Sequence, residues 1–424
     1  MVQTRLIHRF KNHPLILLLK NNQGNPRALI LMEPLWGIPF NLIMPFATLY
    51  MYLQGITDVQ IGLILSIAML MQVLFSFSGG IITDKLGRKV ANLLGDFFGW
   101  SFACLIWAIS DNFWLFLIAA LFNSFEQINQ TAWFCLLVED AEEKDMLGIY
   151  TWVSIGGLVA VFFAPISGLL IHNFTLVPIL RTLYVIFAIT MSIKALITYR
   201  YCRETRVGQQ RKKEVKNMTS RQMLAEYKML IPNFLKNKEL MKVVAIGIIL
   251  HIANLVNLNF FGLYLTQRLD IADRYLAFFP ILNGVVMLVF MIAIQHRLEA
   301  LKFKLPIGSG LALFAFCHLF LILMPIGNIP FILVYVFLLA VANALVIPRR
   351  DALLQLVIDK KERARMMSLI VSATIAFASP FGYLAGLLSS MDRRLPFVLT
   401  FCLFMVALLI VSRLRNPEVE GEVS

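Results

Sequence analysis

The chain has 424 residues, of which 59% are hydrophobic and only 15% are charged, and its mean hydropathy is +0.76. A soluble protein needs a more polar surface than this composition supplies, so the sequence indicates a membrane protein. The net charge of +13 does not imply nucleic-acid binding, because the basic residues lie mostly between apolar stretches, where they set membrane topology.

Apolar stretches of about 20 residues, the length that crosses the hydrocarbon core as a helix, recur along the chain. Nearly continuous apolar runs at 113–122 and 331–345 exclude the alternating pattern of a membrane β-barrel. The sequence therefore predicts an all-α membrane protein with twelve transmembrane helices. The predicted spans are residues 28–54, 58–82, 90–110, 112–138, 146–171, 175–200, 239–266, 272–296, 304–325, 329–357, 363–390 and 394–413.

The longest polar stretch, residues 203–238, carries ten Lys or Arg against three Glu and separates six predicted spans from six. A basic loop of this kind is attracted to anionic lipid headgroups. We predict five segments: a cytoplasmic segment at 1–27, a six-helix bundle at 28–200, a basic cytoplasmic linker at 201–238, a second six-helix bundle at 239–413 and a cytoplasmic tail at 414–424.

The basic residues are distributed unevenly between the two sides of the predicted bundle. Basic residues concentrate on the cytoplasmic side of membrane proteins. We therefore expect an inner-membrane (cell-membrane) protein with both termini in the cytoplasm. Only five of the 38 Lys and Arg lie toward the side where odd-numbered spans end: Arg181, Arg268, Arg274, Arg393 and Arg394.

The loop between spans two and three carries a recognisable motif. Gly80 permits close helix packing and Gly87 permits a tight turn. The segment resembles the loop signature Gly-x-x-x-Asp-Arg-x-Gly-Arg-Lys of the major facilitator superfamily, with Lys in place of the first Arg. The resemblance covers essentially the whole chain, because the spans, the basic linker and the inside termini agree with it. The segment reads Gly80-Ile-Ile-Thr-Asp84-Lys85-Leu-Gly87-Arg88-Lys89.

The resemblance implies two pseudo-symmetric six-helix bundles that rock about a central site. It also implies that Arg88 pairs with an acid at the end of span four, where Glu139 and Asp140 are both available, and that this pairing holds a cytoplasmic gate in the outward-open state. The two halves are weakly alike in sequence. Glu139 and Asp359 occupy matching positions, each before a span that contains Pro and Gly.

Span five carries a second, partial resemblance. Gly156-Gly157, Ala164-Pro165 and Gly168 are similar to a Gly-rich motif of superfamily exporters that exchange drugs for protons. These small residues equally suit helix packing and a kink. Such exchangers usually carry an Arg in span four, yet residues 112–138 contain no Arg, Lys or Gly. A proton-coupling acid in span four would lack that partner.

Glu126 is the deepest acid in the sequence, about 18 Å from the end of span four and close to the middle of the membrane. It shares one helix face with Asn123, Gln127 and Gln130. Lipid would not tolerate this face, so we expect it to meet a cavity or another helix. Glu126 is either a proton-coupling or substrate-contact residue, or a neutral, hydrogen-bonded packing residue.

Other polar residues inside the spans are further candidates for the cavity. Glu33 and Asp96 lie one or two turns from the cytoplasmic edge, where a helix end, a basic loop or water satisfies a charge. Glu33 also shares a stripe with Asn41 that could line a cavity. Interhelical packing and local charge pairing are the alternatives to substrate or anion binding at the remaining positions. These are Asn254 and Asn257, with His251, in span seven, and Arg349, Arg350 and Asp351 in span ten.

These features predict a secondary transporter and not an enzyme. The sequence contains no phosphate-binding loop, metal-ligand cluster or nucleophile–base spacing, so we expect no cofactor and no metal. We expect proton-coupled efflux of a small hydrophobic or amphipathic compound by a monomer that contacts membrane lipids and no nucleic acid. A nutrient importer or facilitator of the same fold is the alternative, and a non-transporting sensor is a more distant one, because fold does not fix the substrate.

Overall fold

The computed structural model describes residues 24–142, 145–215, 232, 236–293, 303–358 and 363–414. All regular elements in these ranges are helices. A linker helix spans Arg206–Glu214. The membrane helices are α1 (Asn25–Leu53), α2 (Asp58–Leu86), α3 (Arg88–Ile109), α4a (Phe113–Asn123), α4b (Glu126–Val138), α5 (Gly148–Asn173), α6 (Leu176–Tyr201), α7 (Lys238–Gln267), α8 (Asp273–Phe290), α9 (Lys304–Ile322), α10 (Ile329–Val357), α11 (Arg363–Met391) and α12 (Leu395–Ser412).

Several predicted features lie outside the described residues. They are most of the amino-terminal segment (1–23), most of the basic linker (216–231 and 233–235), the end of predicted span eight (294–296), the tail beyond Leu414, and Asp359 of the half-repeat.

Of the twelve predicted continuous spans, one is interrupted in the structure. Eleven of the described helices are long and apolar enough to cross a membrane. The exception is the predicted span 112–138, which is divided into α4a and α4b at Ser124 and Phe125. The Ser124 hydroxyl donates to the carbonyl of Ala120 at 3.0 Å and lies 3.1 Å from the carbonyl of Ala68 in α2. A side chain that bonds to backbone carbonyls in this way bends a helix.

A second helix irregularity faces this break. Residues 97–102 of α3 form a turn of π-helix. Asn123 Nδ2 donates to the carbonyl of Gly99 at 2.9 Å. A side chain on Gly99 would come within 2.8 Å of the Glu126 nitrogen, so only glycine allows this approach. α3 and α4b are therefore in backbone contact at the depth of Glu126.

The apolar core joins the two halves on one side of the membrane. We call the side that carries residues 84–89 the basic side, and the side that carries residues 54–57 the far side. Toward the far side, one cluster contains buried residues of both halves, such as Tyr50 and Tyr264. Toward the basic side, the buried residues around Leu136 and around Leu311 form separate clusters, one in each half.

Helices α2 and α11 are in backbone contact near the far side. A side chain on Gly62 would come within 2.5 Å of the Gly382 carbonyl. A side chain on Gly386 would collide with the carbonyl of Asp58 and approach the Gly62 Cα to 2.9 Å. Glycine is therefore required at these positions for the two halves to approach this closely.

Polar contacts reinforce the far-side closure. The Asp58 carboxylate accepts hydrogen bonds from Ser389 at 2.6 Å and from Arg393 at 3.0 Å. Helices α5 and α8 also touch there, because a side chain on Gly168 would come within 2.5 Å of the Arg274 carbonyl. The halves are thus closed against each other on the far side.

Candidate functional site

A cavity of about 930 Å³ lies between the two halves, within the size range of small-molecule sites. Helices α2 and α4b line it on one side, and helices α7, α9, α10, α11 and α12 line it on the other. It extends from Asn257 and Ile375, deep in α7 and α11, to Leu354 and Met367, near the basic-side ends of α10 and α11. Because the far side is closed, the cavity faces the basic side.

The amino-terminal half contributes Gln72, Glu126, Gln127 and Gln130 to the lining. Three of the four residues on the predicted polar face of span four therefore line the cavity. The fourth, Asn123, precedes the helix break and bonds to α3 instead. Among the residues that the structure describes, the Glu126 carboxylate forms no hydrogen bond and no ion pair, and no charged side chain of its own half lies beside it in the lining.

The carboxyl-terminal half contributes the predicted residues Asn254 and Asn257, and also His318, which the sequence analysis did not single out. His318 is 2% exposed, and its Nδ1 donates to the carbonyl of Phe314 at 2.8 Å. Its Nε2 is buried without a hydrogen-bond partner in the described part of the chain. In the neutral ring this nitrogen is an acceptor, and no donor from the described residues reaches it.

The predicted charges of span ten separate into two environments. Arg350 and Asp351 line the cavity and pair with each other, with 3.1 Å between Nε and Oδ1. Arg349 is buried away from the lining and donates to the carbonyl of Leu345 at 3.2 Å. Since Asp351 is paired with Arg350, Glu126 is the acid of the lining that lacks a counter-charge among the described residues.

The loop motif forms a charge network on the basic side. Arg88 donates through Nε and NH2 to Glu139 at 3.1–3.2 Å and through NH1 to Asp84 at 2.8 Å. Asp140 instead accepts from the backbone nitrogen of Arg206 at 3.2 Å. Of the two acids available to Arg88, the structure selects Glu139.

The remaining motif residues frame this network. Gly87 ends α2 with a φ of 93°, which favours glycine. The Lys89 ammonium lies 4.4 Å from the centre of the Tyr199 ring, Lys85 is exposed at the surface, and Gly80 is half-buried in α2.

Residues at the start of the basic linker complete the network. Sequence reasoning missed their contribution. Glu204 accepts from the backbone nitrogens of Arg88 and Lys89 at 2.9 and 3.1 Å and so caps α3. The Thr205 hydroxyl donates to Glu139, and Arg211 lies 3.3 Å from Asp84. These contacts connect the loop motif to the linker within the amino-terminal half.

The family model of the Major Facilitator Superfamily matches residues 35–316. The chain belongs to this superfamily. The resemblance inferred from the loop motif is therefore confirmed, and the protein is a non-enzymatic membrane transporter with several membrane-spanning helices. Membership agrees with the observed fold class, an all-α membrane protein.

The curated relatives of the chain in this superfamily match only part of it. The chain is 30% identical over 131 residues to the uncharacterised MFS-type transporter YqjV of Bacillus subtilis (strain 168), covering 30% of this chain and 32% of that protein. It is 29% identical over 177 residues to the multidrug resistance protein MdtG of Salmonella paratyphi A, covering 40% and 42%. The matches thus span less than half the length of these relatives.

Solved superfamily structures resemble the whole chain at low identity. The nucleoside transporter NupG superposes with a TM-score of 0.70 at 16% identity, over 93% of this chain and 100% of that chain. The inward-open xylose transporter XylE from E. coli gives 0.65 at 13% identity, over 94% and 97%. At this identity the likeness concerns the fold alone.

Three predicted cavity candidates lie elsewhere in the superfamily fold. Asp96 and Glu33 meet Lys194 of α6 inside the amino-terminal half, and we call these three residues the buried triad. Lys194 Nζ lies 3.5 Å from Asp96 Oδ1 and 3.9 Å from Glu33 Oε2. Asn41 donates to the carbonyl of Gly37 in its own helix at 2.8 Å. Among the described residues, neither a helix end nor the basic loop pairs with the two acids; a lysine that sequence reasoning overlooked contacts both, more closely at Asp96 than at Glu33.

No group of three or more His, Cys, Asp or Glu that could hold a metal ion occurs in the described ranges. The five cysteines are free thiols. The lining residues themselves offer hydrogen bonding, ion pairing and reversible protonation.

Proposed function

We propose that this protein exports a small hydrophobic or amphipathic compound in exchange for protons. The observation that carries the proposal is the Glu126 carboxyl group, which lines the cavity without a partner among the described residues. A carboxylate in a low-dielectric site is costly unless a proton, a cation or a hydrogen-bond donor satisfies it. A proton and a cationic or donor-bearing substrate are alternative partners for the same carboxyl group. Exchange requires this competition, because one partner must leave before the other binds.

The rest of the lining supports an amphipathic substrate. Apolar side chains such as Leu250, Phe314 and Phe404 share the cavity with the amides of Gln127 and Asn257. Apolar walls with a few fixed polar groups are typical of sites that bind drug-sized molecules. The partial relative MdtG is described as a multidrug resistance protein, which agrees with this substrate class.

The proposed mechanism is alternating access in a cell (inner) membrane, with the basic side and both termini in the cytoplasm. The far-side contacts and the cavity that faces the basic side then correspond to an inward-facing state, ready to load from the cytoplasm. Export requires the halves to separate on the far side and close on the basic side. We assign the Asp84–Arg88–Glu139 network to the basic-side gate, with a monomer, surrounded by lipid, as the working unit.

An importer or facilitator is the second candidate. The observation that favours it is the number of neutral hydrogen-bonding groups in the lining, among them Gln130, Asn254, Asn343 and Thr374, which suit a hydroxyl-rich solute. The structural neighbours described as a nucleoside transporter and a xylose transporter agree with that class. A facilitator of this kind would not need an unpaired acid, because it moves no proton.

Proton flux in energised everted vesicles tests the export proposal. Lipophilic cations, antibiotics and sugars are added while a fluorescent probe reports the pH gradient. We expect at least one amphipathic compound to dissipate the gradient in wild type and not in Glu126→Gln. The matched control is Glu239→Gln, which removes an acid that pairs with Lys242 at 2.7 Å outside the cavity and should leave the flux unchanged.

Two results contradict the proposal. Equal flux in wild type and Glu126→Gln would remove Glu126 from the exchange. No flux with any compound, together with protein-dependent uptake of a labelled nucleoside or sugar, would identify an importer.

A further inference from the structure

The buried triad lies apart from the cavity and has no role in the proposed exchange. Its residues come from three helices, α1, α3 and α6. The side chains are 17% exposed for Glu33, 0% for Asp96 and 4% for Lys194. Ionisable groups are rarely buried in a membrane protein without a function or a full set of partners. Among the residues that the structure describes, the triad does not have a full set.

The surroundings of the triad supply no second positive charge among the described residues. Helix α4b brings the neutral amide of Asn129, which donates to Asp96 at 2.8 Å, and α3 brings Asn92, whose Nδ2 lies 3.5 Å from Asp96. Helix α5, which packs against α1, has no Asp, Glu, Lys or Arg in 148–173, and its one ionisable side chain near a helix end, His172, lies on the far side. Arg88 at the start of α3 is already paired with two acids. The site therefore holds two carboxyl groups and one ammonium group.

The two carboxyl groups are not equally satisfied. Asp96 receives the closer contact of Lys194 and two amide contacts. Glu33 has only the 3.9 Å contact with the same ammonium group, and its Oε2 is buried without a hydrogen bond to any described residue. One ammonium neutralises one carboxylate, and a second, largely buried carboxylate with one oxygen that lacks a donor among the described residues carries a desolvation penalty. A proton is the smallest group that removes this penalty.

We propose that the buried triad is a proton-binding site of its own, separate from Glu126, which holds one exchangeable proton shared between Glu33 and Asp96 opposite Lys194. The proton belongs to the pair of acids and not to one of them, because both acids compete for the same ammonium group. Removing either acid leaves a balanced acid–lysine pair with no bound proton. Removing the lysine leaves two acids that both need a proton.

The position of the triad connects it to the cavity. Asn129, which donates to Asp96, lies on α4b one turn after Glu126. A side chain on Gly95 would come within 2.6 Å of the Asn129 Cβ, so α3 and α4b are closely packed here. The π-helical turn of α3 begins directly after Asp96. A change of charge in the triad therefore changes the contacts of α4b, the helix that carries Glu126. This link to transport rests on the proposed function, whereas proton binding by the triad does not.

Infrared spectroscopy of the purified full-length protein tests the proposal directly. The C=O stretch of protonated carboxyl groups is recorded at about pH 7.5, where carboxyl groups with ordinary pKa values near 4 are ionised and silent. All variants carry Glu126→Gln, so the cavity acid does not contribute. We expect a band of one carboxyl group that is lost in Glu33→Gln and in Asp96→Asn, and that doubles in Lys194→Met. The control Glu239→Gln leaves the band unchanged.

The outcomes decide the proposal without reference to transport. A band that is the same in the parent, Glu33→Gln and Asp96→Asn overturns it, as does the absence of a band in the parent, because the triad would then be a fully ionised, static ion-pair cluster. Glutamine has the shape of a protonated glutamate, so Glu33→Gln remains informative even if Lys194→Met does not fold. Failure of the export proposal leaves the band in place, and loss of the band leaves the export proposal standing.

Discussion

Replacing Gly386 by alanine should shift the protein away from its far-side-closed state. The new Cβ would lie 2.9 Å from the Gly62 Cα and would collide with the carbonyl of Asp58. Both obstacles are backbone atoms, so no change of rotamer removes the clash. When α2 and α11 separate on the far side, the same Cβ has free space. The substitution therefore selectively destabilises one state of the proposed transport cycle.

The size of the shift follows from the geometry. Relieving the contact requires α2 and α11 to part by several tenths of an ångström or more along a packed surface, and overpacking of this kind costs about 1–3 kcal/mol. At about 2 kcal/mol, the ratio of far-side-closed to far-side-open molecules falls about 30-fold. Alanine also raises helix propensity, but it does so in both states and the effect cancels.

Distances between spin labels on the far side measure this ratio. Labels at Asp111→Cys and Ile326→Cys, two exposed loop positions in opposite halves, are compared by pulsed electron resonance after the five native cysteines are replaced. Gly386→Ala should populate longer distances. Gly156→Ala is the matched control, since nothing lies within 4 Å of its Cβ. Identical distance distributions for the two glycine variants would refute the assignment of this contact to far-side closure.

Three further substitutions test the basic-side network, the buried triad and the far-side ion pair. Asp84→Asn removes the carboxylate that lies 2.8 Å from Arg88, and we expect vesicle transport to fall about tenfold at unchanged membrane insertion, because a charge-assisted hydrogen bond contributes about 1.5 kcal/mol. Lys194→Ala leaves two acids without their ammonium partner and should lower the free energy of unfolding by about 3–5 kcal/mol, measured by denaturation. Adding Asp96→Asn should restore part of this stability. Asp58→Asn should lengthen the far-side label distances in the same direction as Gly386→Ala, but less, because the amide still accepts hydrogen bonds.

Each of these substitutions has a control nearby. Glu214→Gln removes another acid beside Arg211 and should leave transport intact, so an equal loss would contradict the gate assignment. Lys242→Ala breaks a more exposed i,i+3 pair and should cost less than about 1 kcal/mol, so an equal destabilisation would contradict the role of burial. Asp392→Asn alters an exposed far-side acid, and a shift as large as that of Asp58→Asn would show that general charge loss is responsible.

Short-range sequence patterns predicted some features of the site. The i, i+3, i+4 and i+7 spacing placed Glu126, Gln127 and Gln130 on one face, and these three do line the cavity. The spacing failed for Asn123 because this residue precedes the break at 124–125, which interrupts the helix. A periodicity rule assumes an unbroken helix. The Ser124 hydroxyl, which bonds to a backbone carbonyl at the break, belongs to a single short polar side chain in an apolar run.

Pairing between distant residues escaped the sequence analysis. The nearby membrane edge was expected to satisfy Glu33 and Asp96, but their partner is Lys194, on a helix far away along the chain. Treating Lys194 as an ionisable residue inside a span, instead of as an edge residue that marks topology, would have identified it. In the same way, Glu204 and Arg211 belong to a polar stretch with the pattern of a solvated loop, although they complete the network around Arg88.

The sequence by itself determined the membrane class, the positions of the helices and the loop motif that indicates the superfamily. These are properties of single segments, because the hydrophobic length of a span and the chemistry of a short loop do not depend on what packs against them. Only the tertiary structure decided that Arg88 pairs with Glu139 and that Gly62 and Gly386 close the far side. It alone also decided that Glu126 faces the cavity without a partner among the described residues, and that Lys194 lies between two acids. Those features depend on distances between helices. The same spans could pack in many arrangements, each with different distances between these residues.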